Sequence, residues 1–448
     1  MSFLSLPAFI IILSILALVA WGMLVSYFEN EKKASLKLLA IGLSIILLLL
    51  PLSASSPLSE IYSAVVVMLF FSFLILSLLP LKGKKISNQN PKGRIDERDT
   101  MFSRKELSEG SENYERYYRD NKEKLELDIK FRQKPGLLQE GTTQWNKLQF
   151  TASDSGFKTI GLLKDKVDGE VSKIKYSIDP KEISEFLKHW GKKLGAADAG
   201  IALLKPYHFY SYGGRGERYG IEYEPAHKFA LAFIVEMDHR MMQSAPSGTA
   251  VMESSQQYLK SGIIALQTAQ FIRDLGYSAR AHIDGNYQVV CPLVARDAGL
   301  GEIGRMGLLM TPALGPRVRI SVVTTDLELI PDKYEQDKSM LDFCTICKKC
   351  SDSCPAKAIP SGDMELINGA ERWQINQEAC YTLWCTLGTD CGRCVSVCPY
   401  SHPDNKFHNL IRFGLKNSFF FRRTALLMDD LIYGRRPASK PPEGWLAK

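Results

Sequence analysis

The amino-terminal 82 residues contain no histidine, and the first histidine of this 448-residue chain is His189. Helices in this part of the chain therefore cannot hold a haem through paired imidazoles. Three stretches within it, residues 7–28, 38–59 and 61–81, also lack any charged residue, which leaves no ionisable side chain for a proton or ion path. Each stretch is about as long as a helix that spans a bilayer. The composition predicts a three-helix membrane anchor over residues 1–82.

Basic residues flank these stretches asymmetrically. The amino terminus and the second link have no Lys or Arg, whereas the first link and the segment after the third stretch carry Lys32, Lys33 and Lys37, and then Lys82, Lys84, Lys85, Lys92 and Arg94. The positive-inside rule then predicts a multi-pass protein of the cell membrane, with the body of the chain on the cytoplasmic face. A cleaved signal peptide is disfavoured because no basic residue precedes the first stretch.

Basic residues elsewhere do not form a nucleic-acid footprint. The net charge is +7, but a nucleic-acid surface needs a basic patch with interleaved aromatic residues, and no such patch stands out. The juxtamembrane lysines are explained more simply by contact with acidic lipid headgroups. We expect membrane lipid, and no nucleic acid, among the partners.

Cysteine is almost confined to one segment, since nine of the ten cysteines lie between residues 344 and 398. This crowding excludes a disulfide scaffold that staples the whole chain. Cys344, Cys347, Cys350 and Cys354 are spaced C-x2-C-x2-C-x3-C before a proline, and a second run ends in the same way with Cys391, Cys394 and Cys398. This is the bacterial ferredoxin pattern for two [4Fe-4S] clusters, in which the fourth cysteine of each run binds the other cluster.

Two clusters need eight thiolates, and the two runs supply seven. The eighth is either Cys380 or Cys385, and Cys380 is preferred because it leaves a ten-residue loop that can wrap a cluster. The expected groups are then Cys344, Cys347, Cys350 with Cys398, and Cys380, Cys391, Cys394 with Cys354. Cys385 and Cys291 would be spare, and Cys291 lies in an apolar stretch typical of a buried cysteine.

Helical and strand patterns alternate between residues 150 and 335. Residues 229–235 are an almost continuous apolar run, which predicts a buried strand. Residues 255–275 predict a long buried helix that ends at Gly276, and residues 319–325 predict a further strand. The pattern predicts an α/β or α+β core of roughly 200 residues, large enough to contain a ligand cavity.

A glycine-rich segment in this core invites a dinucleotide interpretation. Gly299, Gly301 and Gly304 spell G-x-G-x-x-G. However, no strand leads directly into them, and Pro312 and Pro316 leave no room for the crossover helix of a Rossmann unit. We expect instead that these glycines let the backbone approach a large flat ligand, or that they form a tight loop.

Together these residues resemble the corrinoid-dependent reductive dehalogenases. The similarity covers about residues 95–405, and the matching stretches are residues 96–102 (DERDTMF), 271–277 (FIRDLGY), 298–309 (AGLGEIGRMGLL), 315–319 (GPRVR) and both cysteine runs. The resemblance implies a base-off cobalamin in a nitroreductase-like core beside a ferredoxin-like domain. The amino terminus departs from the family, because it has no twin-arginine signal and looks like the family's separate membrane-anchor protein fused to the enzyme.

The resemblance also implies roles for individual residues. It implies Tyr258 as the proton donor, Arg317 as its basic partner and Asn286 as a polar residue of the active site, although Asp284 and His282 are close enough to confuse that last alignment. A guanidinium is a suitable partner because it is permanently charged and eases loss of the tyrosine proton. The cofactor-binding loop would contain Gly299, Gly301, Gly304, Arg305 and Met306.

The expected organisation is α+β with five parts: the anchor at 1–82, a linker and wrapping arm at 83–149, a cobalamin-binding core at 150–335, a ferredoxin-like domain with two [4Fe-4S] clusters at 336–402, and a basic tail at 403–448. The expected function is membrane-anchored reductive dehalogenation of an organohalide. Quinol, ferredoxin or flavodoxin would supply the electrons. The alternatives are a cobalamin reductase of a non-halogenated substrate, similar to epoxyqueuosine reductases, and a membrane-bound electron carrier of the ferredoxin type.

Overall fold

The computed structural model describes residues 5–49, 51, 57–79, 90–442 and 444–446. The helices are α1 (Ser5–Phe28), α2 (Lys32–Leu47), α3 (Pro57–Leu78), α4 (Met101–Glu106), α5 (Glu112–Asp120), α6 (Lys122–Arg132), α7 (Lys147–Gly161), α8 (Pro180–Lys193), α9 (His239–Gln243), α10 (Gly248–Asp274), α11 (Cys291–Asp297), α12 (Lys338–Cys347), α13 (Lys349–Asp352), α14 (Gln377–Leu387), α15 (Arg393–Ser396), α16 (Lys406–Asn417) and α17 (Phe419–Ile432). The strands are β1 (Asp198–Leu203), β2 (Phe229–Glu236), β3 (Ala279–His282), β4 (Glu302–Ile303), β5 (Leu309–Met310), β6 (Val318–Thr325), β7 (Glu365–Ile367) and β8 (Ala370–Arg372).

The chain forms two compact units that are not contiguous in sequence. The first unit combines the amino-terminal residues to Lys85 with Lys338–Cys347 and Pro403–Pro437. The second unit contains Ile86–Asp337, Lys348–His402 and Ala438–Lys448.

The first unit consists of the apolar helices α1, α2 and α3 together with α12, α16 and α17. Helix α1 packs against both α2 and α3, and Ala8 and Ile12 are buried at their junction. Most of the remaining apolar side chains of α1 and α3 are exposed. Such a surface suits an apolar solvent rather than water.

The prediction of three spanning helices is wrong in its second member. Within the described residues two helices, Ser5–Phe28 and Pro57–Ser77, are long and apolar enough to cross a bilayer. Helix α2 has 16 residues, or about 24 Å at the rise of an α-helix, which is shorter than a hydrocarbon core of about 30 Å. It also begins at Lys32, inside the stretch expected to be a charged link. Lys82, Lys84 and Lys85, on which the predicted orientation depends, lie outside the described residues.

The second unit is built around a four-stranded antiparallel sheet in the order β1-β2-β6-β3. Strand β2 is buried on both faces because its side chains alternate between two apolar clusters. Leu231, Phe233 and Val235 belong to one cluster, and Ala232 and Ile234 to the other. The buried strand predicted at residues 229–235 is therefore confirmed as β2.

Helix α10 covers one face of this sheet. It packs against β6, β3 and α7, and residues such as Ile264 and Ala269 are fully buried there. Gly276 ends the helical segment with a φ of 87°, a left-handed conformation that glycine adopts without strain. The predicted helix at 255–275 is confirmed and begins earlier, at Gly248. The architecture is thus α+β.

The region expected to be a linker and arm contains the helices α4, α5 and α6 and the start of α7. One side chain that joins it to the rest of the second unit is Arg104, which is fully buried. This guanidinium donates to Asp128 on α6 and, over 2.6 Å, to Glu378 on α14. A buried cation needs such paired partners to offset its desolvation.

Candidate active site and cluster cysteines

The two cysteine runs share one local conformation. Lys348 and Gly392 both adopt left-handed backbone angles, with φ of 56° and 68°. Each is followed at once by a four-residue helix, α13 or α15, whose second residue is a cysteine, Cys350 or Cys394. The equal spacing of the two runs therefore produces equal turns.

Thiols of the second unit lie close enough to interact electrostatically. Burial, and then the neighbouring thiols of Cys391, Cys350, Cys380 and Cys354, raise the pKa of Cys394 well above its usual value. Burial, followed by Cys391 and Cys354, likewise raises the pKa of Cys380 to about 12. Burial and mutual repulsion keep these thiols protonated in the absence of metal. An iron–sulfur cluster would bind them as thiolates. This donor set fits the group expected at Cys354, Cys380, Cys391 and Cys394.

The two candidates for the eighth ligand lie in different surroundings on α14. Cys385 is buried in an apolar cluster with Met101, Phe131 and Tyr381. Burial raises the pKa of its thiol while Lys105 and Tyr381 lower it, and no other cysteine is among these influences. Cys380, in contrast, faces other thiols. The structure thus brings Cys380 to the cysteine group and leaves Cys385 in a core.

The remaining predicted ligands are divided between the two units. Cys344 and Cys347 lie on the last turns of α12 in the first unit. Cys350 and Cys398 lie in the second unit. All four are buried.

Tyr258 lies on α10 and lines an apolar cavity of about 200 Å³. The rest of the lining includes Tyr210, Tyr287, Cys291, Leu308 and Leu309. Burial raises the pKa of the Tyr258 hydroxyl, and the nearby Arg319 opposes that rise. Among the residues that the structure describes, the Tyr258 hydroxyl has no hydrogen-bond partner, so it is available to a molecule in the cavity.

The cation beside Tyr258 is Arg319 on β6. Its guanidinium carbon lies 4.8 Å from the centroid of the tyrosine ring, within the range of a cation–π contact. Arg319 Nη2 also donates to Ser254 Oγ over 2.5 Å and to Asp390 Oδ2 over 2.9 Å. Sequence alone does not distinguish Arg319 from Arg317, because the two arginines of residues 315–319 are chemically equivalent until the strand is placed.

Arg317, the predicted partner of Tyr258, lies elsewhere and is not among the residues that line the cavity. It is fully buried, and its Nε donates to the Ser401 carbonyl over 2.9 Å. Its Nη1 donates to Glu236 over 2.6 Å and to the Met237 carbonyl. These partners describe a structural cation that ties the end of β2 to the segment after the second cysteine run.

Asn286 lines a different cavity of about 530 Å³. Its Oδ1 accepts from Arg280 Nη2 over 2.7 Å, and its Nδ2 donates to the Lys164 carbonyl over 2.9 Å. The segment at 286–289 separates the two cavities, because Asn286 and Gln288 face the larger one while Tyr287 and Val289 face the smaller one. Asn286 is therefore not brought beside Tyr258.

The glycine-rich segment forms the β4–β5 hairpin, which contributes Leu308 and Leu309 to the cavity wall. A Cβ at Gly301 would lie 2.1 Å from the Met310 carbonyl oxygen, so a side chain there would collide with the opposite strand. This close approach is between two backbone segments, as the tight-loop interpretation predicts.

Two further members of the predicted cofactor loop are buried in the protein. Met306 is 4% exposed and Arg305 is 1% exposed. Arg305 donates to the carbonyls of Pro360 and Gly362 and lies 4.5 Å from the Trp373 ring centroid. These contacts join the hairpin to the segment between the two cysteine runs.

The small cavity is linked to the second cysteine run by two contacts. Asp390, which pairs with Arg319, immediately precedes Cys391. Leu308 lines the cavity and packs against the same apolar cluster as Cys394. A redox centre at this cysteine group would therefore be a near neighbour of the cavity.

Comparisons with known proteins agree with this arrangement. The "4Fe-4S dicluster domain" family matches residues 343–402. A tetrachloroethene reductive dehalogenase of Sulfurospirillum multivorans is 35% identical over 210 residues, which are 45% of this chain and 41% of that protein. The chain is similar to reductive dehalogenases over this part of its length. It spans less than half the length of the curated dehalogenases that it matches.

Solved structures share the fold. The catabolic reductive dehalogenase NpRdhA in complex with 3-bromo-4-hydroxybenzoic acid has a TM-score of 0.62 and 24% identity, over 80% of this chain and 49% of that one. A reductive dehalogenase structure said to suggest a mechanism for B12-dependent dehalogenation has a TM-score of 0.61, over 79% and 49%. The chain thus has the reductive dehalogenase fold over about four-fifths of its length.

A corrin does not fit the small cavity as it stands. Its volume of about 200 Å³ is below the roughly 300–1,000 Å³ of sites that enclose drug-sized ligands, and a corrin with its side chains is larger than such ligands. The space matches a small organic molecule beside Tyr258. Binding a whole corrin there would require the cavity to enlarge.

Proposed function

We propose that this chain reduces an organohalide, with cobalamin held base-off and two [4Fe-4S] clusters as cofactors, and that the cavity beside Tyr258 enlarges when the corrin binds. The observation that carries the proposal is the pairing of Tyr258 with Arg319 in the wall of an apolar cavity that adjoins a cluster-binding run. The similarity to reductive dehalogenases supports the reaction class. The B12 dependence of one structural relative supports the corrinoid.

The reaction consumes two electrons and one proton, since a carbon–halogen bond is replaced by a carbon–hydrogen bond and a halide ion leaves. Tyr258 supplies the proton from its hydroxyl. Arg319 stabilises the tyrosinate that remains, because a permanent cation lowers the cost of the anion. Asp390 pairs with Arg319 and fixes the position of its guanidinium over the tyrosine ring.

The electrons reach the cavity through the cysteine runs. The group of Cys354, Cys380, Cys391 and Cys394 binds the cluster nearer the cavity, and Cys344, Cys347, Cys350 and Cys398 bind the other. The contacts of Asp390 and Leu308 support this order. Quinol, ferredoxin or flavodoxin supplies the electrons to the farther cluster.

The substrate is a small organohalide with an apolar body. The cavity lining supports this class, because it is dominated by aliphatic and aromatic side chains and, within the described part of the chain, contains Arg319 as its one charged residue. NpRdhA has been solved with 3-bromo-4-hydroxybenzoic acid, which supports halogenated aromatic acids as the first compounds to assay.

The protein is attached to the cell membrane by α1 and α3, with the second unit on the cytoplasmic face. The length and apolar surface of these two helices support the attachment.

Anaerobic purification from cells supplied with cobalamin tests the cofactors. The expected contents are one cobalt and about eight irons per chain, and a preparation with iron but no cobalt would refute the corrinoid. Halide release from a panel of chlorinated and brominated compounds tests the reaction, with an epoxyqueuosine-containing RNA as the competing substrate. Turnover of the RNA alone would assign the chain to the other class of cobalamin reductase.

A further inference from the structure

Two consecutive helices near the carboxyl end form what we call the C-terminal hairpin: α16 (Lys406–Asn417) and α17 (Phe419–Ile432). One residue, Ser418, joins them and caps α17, its Oγ accepting from the Phe421 amide over 3.1 Å. The sequence predicts only a basic tail in this region. It belongs to the first unit, together with the apolar helices.

Aromatic contacts join the C-terminal hairpin to α1 and α3. Phe407 packs edge-on against Trp21, with ring centroids 5.4 Å apart, and it lies so close to Gly22 that a Cβ there would be 2.8 Å away. Phe420 packs against Phe73 at 5.5 Å. Trp21 and Phe73 both lie in the carboxyl-terminal parts of their helices, so the hairpin packs at one end of α1 and α3.

Polar contacts lie at the same end. His408 Nε2 is 3.1 Å from Glu29, just after α1, and Asn405 donates to the same carboxylate over 2.8 Å. Near the start of α2, Lys37 Nζ donates to the Leu431 carbonyl over 2.8 Å. Polar partners at the end of an apolar helix are typical of the boundary between hydrocarbon and water.

The C-terminal hairpin also carries large apolar side chains that are exposed among the residues that the structure describes. Phe413 is 67% exposed and Leu427 is 69% exposed, and the other large exposed residues are Leu410, Met428 and Leu431. Leu427 and Leu431 are four residues apart and Leu410 and Phe413 are three apart, so each pair forms a stripe on its helix. Exposed apolar stripes of this kind mark a binding face.

The C-terminal hairpin is also rich in positive charge. Residues 406–436 contain seven Lys or Arg and two Asp. Lys406, Lys416, Arg423 and Arg436 are exposed. Apolar stripes with flanking cations characterise helices that lie in the interfacial layer of an anionic bilayer.

We propose that the C-terminal hairpin is an interfacial membrane-binding element that lies against an anionic bilayer beside α1 and α3. The proposal rests on the membrane attachment given under Proposed function. Lipid is the occupant because the hairpin packs at one end of two helices whose own surfaces are apolar and exposed, and because its flanking charge complements acidic headgroups.

The C-terminal hairpin also forms an ion pair with α12. Arg422 on α17 donates from Nε to Asp342 on α12 over 2.8 Å and from Nη1 to the Leu415 carbonyl over 2.9 Å. Both charged side chains are buried. Helix α12, which carries Cys344 and Cys347, is therefore held by the element that we assign to the lipid surface.

Photo-cross-linking of the full chain tests the assignment. The protein is placed in nanodiscs of phosphatidylcholine with and without phosphatidylglycerol, and a trace of phosphatidylcholine with a diazirine near its headgroup is activated. Peptide mapping should find lipid adducts on residues 406–432 as well as on α1 and α3, with more adducts on 406–432 when phosphatidylglycerol is present. Adducts on α1 and α3 alone would overturn this inference and leave the anchor intact, whereas adducts on none of them would refute the membrane attachment.

Substitutions test which residues of the C-terminal hairpin contact lipid. The combination of Phe413→Gln, Leu427→Gln and Leu431→Gln should lower the adducts on 406–432 severalfold and leave those on α1 unchanged. The combination of Lys406→Gln, Lys416→Gln and Arg436→Gln should abolish only the increase caused by phosphatidylglycerol. Leu148→Gln with Leu162→Gln, at exposed positions of the second unit, is the matched control and should change neither. Unchanged adducts in the apolar variant, or a concentration-dependent dimer lost in it, would assign this face to protein instead of lipid.

Discussion

Arg319 and Tyr258 lie together although the chain separates them by 61 positions, with the guanidinium carbon 4.8 Å from the tyrosine ring centroid. The sheet creates this pair, because β6 carries Arg319 and packs directly against α10, which carries Tyr258. Arg319 is in turn paired with Asp390, next to Cys391. One ion pair therefore connects the proposed proton donor to the proposed cluster site.

Replacing Tyr258 by Phe should abolish most of the reductive turnover, because the ring still fills the cavity wall but no hydroxyl proton remains. Loss of a general acid typically costs about 10²–10⁴-fold in rate. The measurement is halide release with a chemical reductant, together with the electron paramagnetic resonance spectrum of the clusters, which should not change. Tyr176→Phe, at an exposed position, is the control and should retain activity. Full activity in Tyr258→Phe would remove this residue from the mechanism.

Arg319→Gln should change the pH dependence of turnover. Arg319 lowers the pKa of Tyr258 against the effect of burial, so its removal raises that pKa further. Since the tyrosine must be protonated to act as an acid, the alkaline limb of the rate profile should move to higher pH while the maximal rate falls. An unmoved alkaline limb would show that Arg319 does not act on Tyr258.

Arg317→Gln should behave differently from Arg319→Gln. The loss of Arg317 removes the donor to the buried Met237 carbonyl and one of the two partners of the Ser401 carbonyl, which also lies 3.1 Å from His239 Nδ1. It also leaves the Glu236 carboxylate without its ion-pair partner, and together these losses should cost about 3 kcal/mol or more of stability. Thermal inactivation should begin at a lower temperature, and the protein that remains folded should keep the parental pH profile. A shifted profile at normal stability would restore Arg317 as the partner of Tyr258.

Metal analysis of two cysteine variants tests the eighth ligand. Cys380→Ser should lower the iron content from about eight towards about four per chain, because one cluster loses a thiolate. Cys385→Ser changes a side chain in an apolar cluster and should retain about eight. The reverse pattern would exchange the two assignments.

Glu302 should make stability depend on pH. Burial raises the pKa of this carboxyl to about 7, against hydrogen bonds from the Asp337 amide and the Tyr334 hydroxyl that lower it. Because the folded pKa lies above the unfolded value, the protonated form favours the native state below pH 4.5, and this contribution is lost as the pH rises to about 7. The loss amounts to at most about 3 kcal/mol.

Glu302→Gln should remove that dependence. The variant should match the parent near pH 5 and unfold at a higher temperature than the parent at pH 8, as followed by thermal inactivation of the holoprotein under anaerobic conditions. Glu328→Gln, at an exposed position, should follow the parent at both values. Identical curves for Glu302→Gln and the parent would show that the carboxyl is already ionised at pH 5.

The hydrophobic pattern along the chain was sufficient to predict individual strands and helices of the core. The apolar run at β2 and the long helix ending at Gly276 were predictable because burial on both faces leaves a local trace in the sequence. The anchor was predicted less well, since apolar composition alone did not show that a helix would start at Lys32 and end at Leu47. The C-terminal hairpin has an apolar stripe, but its partners on α1, α2 and α3 are 347 to 394 positions away in the chain.

The amino-acid sequence by itself determined that this chain has two cluster-type cysteine runs, because ligands of one run are only two or three residues apart and local backbone geometry brings them together. Only the tertiary structure decided which arginine lies beside Tyr258, which of Cys380 and Cys385 meets the other thiols, and what the C-terminal hairpin contacts. Each of these depends on residues that are distant in the chain, and strand register and helix packing alone bring such residues into contact.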